Sequence, residues 1–430
     1  MLTYIVGPPI RRTADFYGRS QAVARFYEIV AGAQTQSVSI LGVRRAGKTS
    51  FLQYVAQQEV ISRFVPNPRD YITIYIDMSS CRHPSDFYQR LLMNLERKLS
   101  GTRPFNLWQT PEGEISLYDV ETVLCQHPHR RIILLLDEFD QIRAGQFDET
   151  FLTELRAMTS VLDYELAYVT ASYWDLYQLG SHIGLPPTSP FYNIFYPTPI
   201  YLPGFSYSEA ELLIRQPAAQ AGVFFSDKTI SDMYALSGSL PFFLQATAAR
   251  WFEERLFNEP PTYEMMLETM IVELAPYFEQ WWRHLNPCER WLLRQVAQNN
   301  LQETSPCSLI SLTEARRRLL AYGLLVPGMA ELAVNGVAFA QWVQKHGKMM
   351  EKAAPLPAPV DISELRRTLM DAFNLEELRT LCFELRLNYE DLGGDNRAGK
   401  IRELILTMQA RLDGLPQLVD AIRRERGAVI

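Results

Sequence analysis

The chain has 430 residues, 47% hydrophobic and 21% charged, a globular mixture that excludes a fibrous repeat or wholesale disorder. At roughly 150 residues per domain it is long enough for about two to four folding units. Its 42 Lys and Arg against 49 Asp and Glu, −7 overall, argue against a chain built to coat nucleic acid or an anionic membrane. No uninterrupted apolar run approaches the length of a membrane span, and the start MLTYIVGPPIRR lacks the basic-then-apolar pattern of a secretory signal. Five scattered cysteines (Cys81, Cys125, Cys288, Cys307, Cys382) include no C-x-x-C pair. They predict neither a zinc site nor a disulfide framework, and a reducing cytoplasm as the location.

Residues 1–205 form the first predicted unit, in which short apolar runs alternate with helical stretches, the pattern of a sheet layered by helices. Candidate strands are SVSILG (37–42), YITIYID (71–77), IILLLD (132–137) and LAYVTAS (166–172). They are rich in Ile, Leu and Val on both faces, as parallel strands covered on both sides are. Residues 206–276 turn wholly helical and predict a lid. Residues 277–347 read as a third unit with helices around 289–298 and 312–322, then two short apolar runs, LLVPG and ELAVNG, before FAQWV. Helices followed by a hairpin of this size suggest a winged helix-turn-helix. The Ala/Pro tract of residues 348–361 predicts an extended linker. Beyond it, residues 362–430 predict a small bundle of four or five helices. Leu378, Leu381, Cys382 and Leu385 fall on one helical face there, and Asn374 with Glu377 forms a capping box.

Chemistry enters at GVRRAGKT, residues 42–49, which fits G-x-x-x-x-G-K-[ST] at every fixed position and sits between a strand and a helix. Gly42 and Gly47 allow the loop to turn its backbone N–H groups, through Arg45, Ala46 and on to Ser50, toward one anion, and the following helix adds its positive end. Lys48 is expected on the β- and γ-phosphates and Thr49 on Mg²⁺. The run RRIILLLDEFD then ends a strand in Asp137, expected to hold the cation through its water shell. Glu138, next along, is expected to polarise the attacking water. The acid strand does not follow the phosphate-loop strand directly, since YITIYID intervenes.

That insertion, with a glutamate on the acid strand, resembles the branch of P-loop ATPases that includes AAA+ and STAND proteins, and the resemblance implies ATP as the nucleotide. YIVGPPI (4–10) and FYGRS (16–20) look like the N-terminal segment of archaeal-type and STAND ATPases, which implies that Gly18 and Arg19 enter the nucleotide pocket. The stretch 189–214, leading to SGSLPFFLQ (237–245), resembles the lid of the same group and implies that Pro241 packs on adenine. The polar sensor of the γ-phosphate falls to either Thr170 or Ser172. Arg143, Arg156 and Arg215 are the candidates for an arginine finger, with nucleotide-dependent assembly as the other way to complete the site. The tail from Asp361 to Arg426 resembles the effector-associated, death-like adaptor domains of bacterial conflict systems. It implies a partner effector bearing a like domain.

The leading expectation is an α/β P-loop switch with lid, winged helix and helical adaptor, using ATP and Mg²⁺ and acting in prokaryotic defence. The alternative is a DNA-binding AAA+ initiator or loader that uses Arg316, Arg317 and Arg318 on phosphates or guanines. Trp251, Trp281, Trp282 and Trp291 are read as core aromatics rather than a ligand cage.

Overall fold

The computed structural model describes residues 3–99, 115–142, 146–147, 149–183, 185, 188–257, 261–300, 305, 307–328, 331–347, 362–385, 387, 389, 392–394, 396–409 and 414–426. The sequence reading of residues 348–361 as a linker, and of Arg143 as a candidate finger, lies outside them. Five strands form a parallel sheet: β1 (Val38–Leu41), β2 (Tyr71–Asp77), β3 (Arg131–Asp137), β4 (Glu165–Ser172) and β5 (Ile200–Tyr201). Their order is β2-β3-β4-β1-β5. The strand that separates the phosphate-loop strand from the acid strand in space is therefore β4, while Tyr71–Asp77 takes the outer edge beside β3, Asp77 opposite Asp137.

Helices cover both faces, as an all-parallel sheet requires. They are α1 (Ser20–Val30), α2 (Lys48–Val55), α3 (Gln58–Ile61), α4 (Pro84–Leu99), α5 (Leu117–Cys125), α6 (Glu149–Thr159) and α7 (Leu176–His182). Alternation along β3 divides its side chains between two cores. Ile133 and Leu135 join Phe26, Phe51 and the lid, whereas Ile132, Leu134 and Leu136 join Phe87, Leu91 and Phe151.

The lid comprises α8 (Tyr207–Gln220), α9 (Asp227–Ser237) and α10 (Pro241–Phe257). A capping box of Ser206 and Glu209 starts α8, and Gly238 ends α9 at φ 74°. A side chain at Gly238 would meet the backbone and Oδ1 of Asn335. Asn335 fastens this turn, accepting from the Ser239 N–H and donating to the Gly323 carbonyl at 2.6 Å.

Next comes α11 (Tyr263–His284). It runs unbroken across residues 276 and 277, where the sequence reading divides the lid from the third unit, so the two share one helix. Pro276 lies inside it. The carbonyl that the proline leaves without a donor belongs to Val272, whose side chain is on the exposed face, where water can satisfy it. Then follow α12 (Pro287–Ala297), α13 (Leu309–Ala321), an antiparallel hairpin of β6 (Leu325–Gly328) and β7 (Glu331–Val334), and α14 (Val337–His346). A correction concerns cysteine: Cys288 and Cys307 are joined by a disulfide with Cα atoms 6.0 Å apart. The turn of the chain from α12 to α13 brings these two together, which their spacing in sequence does not reveal.

The C-terminal part holds α15 (Ile362–Ala372), α16 (Leu375–Glu384), α17 (Arg397–Gln409) and α18 (Gly414–Arg426). They enclose their own core, with Leu378, Leu381, Cys382, Ile401, Leu404 and Ile422 buried. The Asn374–Glu377 capping box starts α16. Among the described residues no helix is long and apolar enough to cross a membrane.

Candidate functional site

At the carboxyl edge of the sheet, β1 turns into the loop 42–47 and then into α2. Gly47, at φ 92°, forms the N-cap of α2, a conformation that costs glycine little. Gly42 allows the loop to close on itself, because a side chain there would come within 3.1 Å of Ala46 Cβ. Lys48 is buried, and its Nζ donates to the Gly42 carbonyl at 2.9 Å and to the Val43 carbonyl. The ammonium is thus held inside the loop it serves. Burial lowers its pKa, opposed by the nearby carboxylates of Asp140, Glu138 and Asp137.

The acid strand ends beside it. Asp137 is 1% exposed. It accepts from the Tyr75 hydroxyl at 2.8 Å and from the Glu138 N–H at 3.0 Å. Glu138 stands at φ 48°, a left-handed conformation uncommon outside glycine that clusters at functional sites. Burial raises its carboxyl pKa, and Lys48 pulls it back. Asp140, which sequence reasoning passed over, accepts from the Tyr173 N–H at 2.8 Å and so ties the acid turn to the end of β4.

A cleft of about 260 Å³ opens over these groups. Of the residues singled out by sequence, Arg19, Arg45, Ala46, Gly47, Lys48, Thr49, Ser50, Glu138 and Pro241 line it. Residues 5–10 form another wall, with the Ile10 N–H donating to Ser50 Oγ. Phe205, just ahead of the lid, and Leu213, Phe242 and Gln245 of the lid line the rest of it. Pro241 starts α10 directly over the loop, its Cγ 3.6 Å from where a Gly47 side chain would begin. Arg19 is 8% exposed, donates to the Ala46 carbonyl at 3.2 Å and lies over the Phe205 ring. Burial lowers its pKa to about 10, with Glu209 opposing.

Three of the predicted residues stand behind the wall rather than in it. Gly42 shapes the loop, and Asp137 is buried at the end of β3. Gly18 packs on Glu209, whose Oε1 would be 2.8 Å from a Gly18 side chain and accepts the Arg19 N–H. Glu209 therefore pins the Gly-Arg element to the start of the lid. Thr170 and Ser172 are both fully buried, bonded to Ser39 Oγ and the Trp174 carbonyl, and do not line the cleft. Arg156 is exposed on α6 and Arg215 pairs with Glu211 and Asp227; neither reaches the cleft.

The oxygen set suits a hard cation: the Thr49 hydroxyl in the cleft and the Asp137 carboxylate behind it. Among the described residues no cluster of three His, Cys, Asp or Glu forms a metal cage. A cation here would take most of its ligands from phosphate and water, as Mg²⁺ commonly does.

Residues 24–276, more than half of the chain, match a family model described as Novel STAND NTPase 2, and residues 365–427 match one described as Effector-associated domain 7. Among solved structures, the Walker-type ATPase of Pyrococcus abyssi aligns with a TM-score of 0.54 at 14% identity, over 80% of this chain and 100% of that one. The ORC2 protein of Aeropyrum pernix aligns at 0.45 and 12% identity, over 81% and 97%. The RuvB Holliday junction branch migration motor of Thermotoga maritima aligns at 0.41 and 14%, over 77% and 97%. The first of these likenesses is one of fold. No curated protein matches the chain.

Proposed function

We propose that this chain, which belongs to the novel STAND NTPase 2 family, is an ATP- and Mg²⁺-dependent signalling switch whose C-terminal helical domain recruits an effector. The observation that carries the reading is one cleft walled by the phosphate loop, Glu138, the N-terminal segment and the lid. A nucleotide seated there touches every part whose rearrangement a switch would need. Lys48 and the loop N–H groups would hold the β- and γ-phosphates, Thr49 would meet the cation directly, and Asp137 would meet it through water. Mg²⁺ supplies charge neutralisation on the phosphates when bound. Glu138, raised in pKa but beside Lys48, would accept a proton from the attacking water. Arg19, Phe205, Leu213 and Pro241 would enclose the base end.

Switching free energy comes from contacts to the γ-phosphate made in one state and lost in the other. The unit from α12 to α14, read as a winged helix, would carry that change outward, fastened to the lid through Asn335. Regulatory turnover is expected to be slow, because Arg156 and Arg215, two of the arginines considered as fingers, stay outside the cleft. A second copy brought by ATP-dependent assembly would supply one. Prokaryotic defence belongs to the same reading; a cytoplasmic location does too, but on the NTPase family and no longer on cysteine usage, since Cys288 and Cys307 are paired.

The experiment is ATP turnover together with effector pairing. Glu138→Gln should lower turnover by about 10²–10⁴-fold while bound ATP is retained. Proteins encoded by neighbouring genes should co-purify with the full chain. Phe383, 83% exposed on α16, offers a surface variant: Phe383→Asp should abolish pairing and leave turnover intact. Wild-type turnover in Glu138→Gln, or a chain that pairs with no neighbour at any nucleotide state, would sink the reading.

A further inference from the structure

Arg45 has the backbone of a strained residue. Its φ is 72° in the middle of the phosphate loop, where a side chain larger than glycine is disfavoured. Two residues on one face of α11, a turn apart, meet the loop at this point. The Trp281 indole Nε1–H donates to the Arg44 carbonyl at 3.0 Å. The Arg45 guanidinium lies 5.3 Å from the centre of the Tyr277 ring and 4.6 Å from that of Phe242, with one N–H donated to the Gly7 carbonyl at 3.0 Å. Trp281 is only 3% exposed, so its place in the core fixes the donor in position.

The Arg44 carbonyl and the Arg45 N–H belong to one trans peptide plane and point in opposite directions. A donor that captures the carbonyl on the α11 side therefore turns the Arg45 N–H to the other side, away from α11. Rotation of that plane would relieve the positive φ and spoil the array of N–H groups on which anion binding by such a loop depends. We infer that Trp281 and Tyr277 are positioning residues for the nucleotide: they hold the Arg44–Arg45 peptide in its strained, phosphate-accepting orientation from a helix outside the phosphate-loop unit. This rests on reading residues 42–49 as the phosphate site. The NTPase family match ends at residue 276, so both lie beyond it. The helix that continues into the third unit thereby reports on, and sets, the shape of the loop.

The test is ATP titration by calorimetry on the full chain. Trp281→Phe keeps an aromatic ring and removes the donor; it should weaken ATP binding about three- to tenfold, the worth of one hydrogen bond, and raise KM with kcat unchanged. In an Arg45→Gly background, where positive φ carries no strain, the same substitution should cost less than about twofold. A merely structural tryptophan would cost the same in both backgrounds, and that outcome overturns the inference. Tyr277→Leu, at a half-buried site less able to unfold the chain, should also weaken ATP binding; wild-type affinity there, or in Trp281→Phe, overturns it too. Lys48→Ala separates the two levels: if it still binds ATP normally the phosphate-site reading fails, whereas if it does not and Trp281→Phe binds as wild type, only the positioning role falls.

Discussion

The phosphate loop and α13 both place arginines side by side, and they use them in opposite ways. In the phosphate loop, Arg44 is exposed while Arg45, at positive φ, swings under the lid onto Phe242 and Tyr277. On α13, Arg316, Arg317 and Arg318 follow a helix, so each is turned about 100° from the last and only one can face the core. That one is Arg318, which forms an ion pair with buried Glu289 at 3.1 Å and lies over the Tyr322 ring. Arg317 pairs along its own helix with Glu314 at 2.7 Å, and Arg316 is exposed. Consecutive charges make a joint surface only where the backbone aims them together. A helix disperses them, and of the three arginines that the sequence offers for DNA on α13 only Arg316 and Arg317 reach the surface.

The largest expected effect tests whether Arg318 is structural. Arg318→Met should destabilise the chain by about 3–5 kcal/mol in chemical denaturation, because it leaves Glu289 buried without its partner. The loss should depend on pH. Burial already raises the Glu289 pKa, with Arg318 pulling it down; without Arg318 it rises further. A carboxyl whose folded pKa exceeds its unfolded value loses stability as pH climbs from the ordinary glutamate range toward the folded value. The variant should therefore be nearest to wild type below about pH 4.5 and worst once the pH exceeds the raised folded-state pKa. A pH-independent loss would mean that packing, not charge, is what Arg318 supplies.

A smaller effect sharpens the other half of the comparison. Arg45→Lys keeps the charge in the loop and loses the planar group that lies over two rings, an exchange that is not conservative at a stacked site. ATP affinity should fall about three- to tenfold, whereas Arg317→Lys should leave it unchanged. Equal ATP affinity in wild type and Arg45→Lys would reduce Arg45 to a diffuse positive charge.

What could be read from sequence divides along the same line. The loop of Gly42, Gly47, Lys48 and Thr49 is legible because its tight turn from β1 into α2 needs particular residue types at fixed spacing, and Asp137 because an apolar strand ends in an acid. The strands β1 to β4 of the parallel sheet are legible for the same local reason, as is the capping box that starts α16. Trp281, Glu209 and Asn335 are not, since each acts on a partner far away in the chain: Trp281 on Arg44 across 237 positions, Glu209 on Arg19 across 190, Asn335 on Ser239 across 96. Trp281 was correctly expected in the core, but its indole N–H finds an acceptor only once α11 is laid against the loop. That α11 continues across residues 276 and 277 is not legible either, and Pro276 inside it does not end it because it sits on an exposed face.

The smallest effect decides between a switch and a DNA loader. If Arg316 and Arg317 contacted phosphates, neutralising both to Gln would flatten the dependence of log affinity on log salt by about 2, nearly one for each lost contact. The ion pair of Arg317 with Glu314 and the solvated position of Arg316 instead predict no change in DNA affinity or in its salt slope. Stability should shift by no more than about 0.5 kcal/mol, as for exposed charges elsewhere. The measurement is DNA binding at several salt concentrations, with and without ATP, on the full chain. A salt slope that falls in the double variant only when ATP is present would mean that the nucleotide turns α13 into a DNA-contacting surface. The two arginine runs would then be parts of one mechanism rather than a functional and a structural use of the same residue.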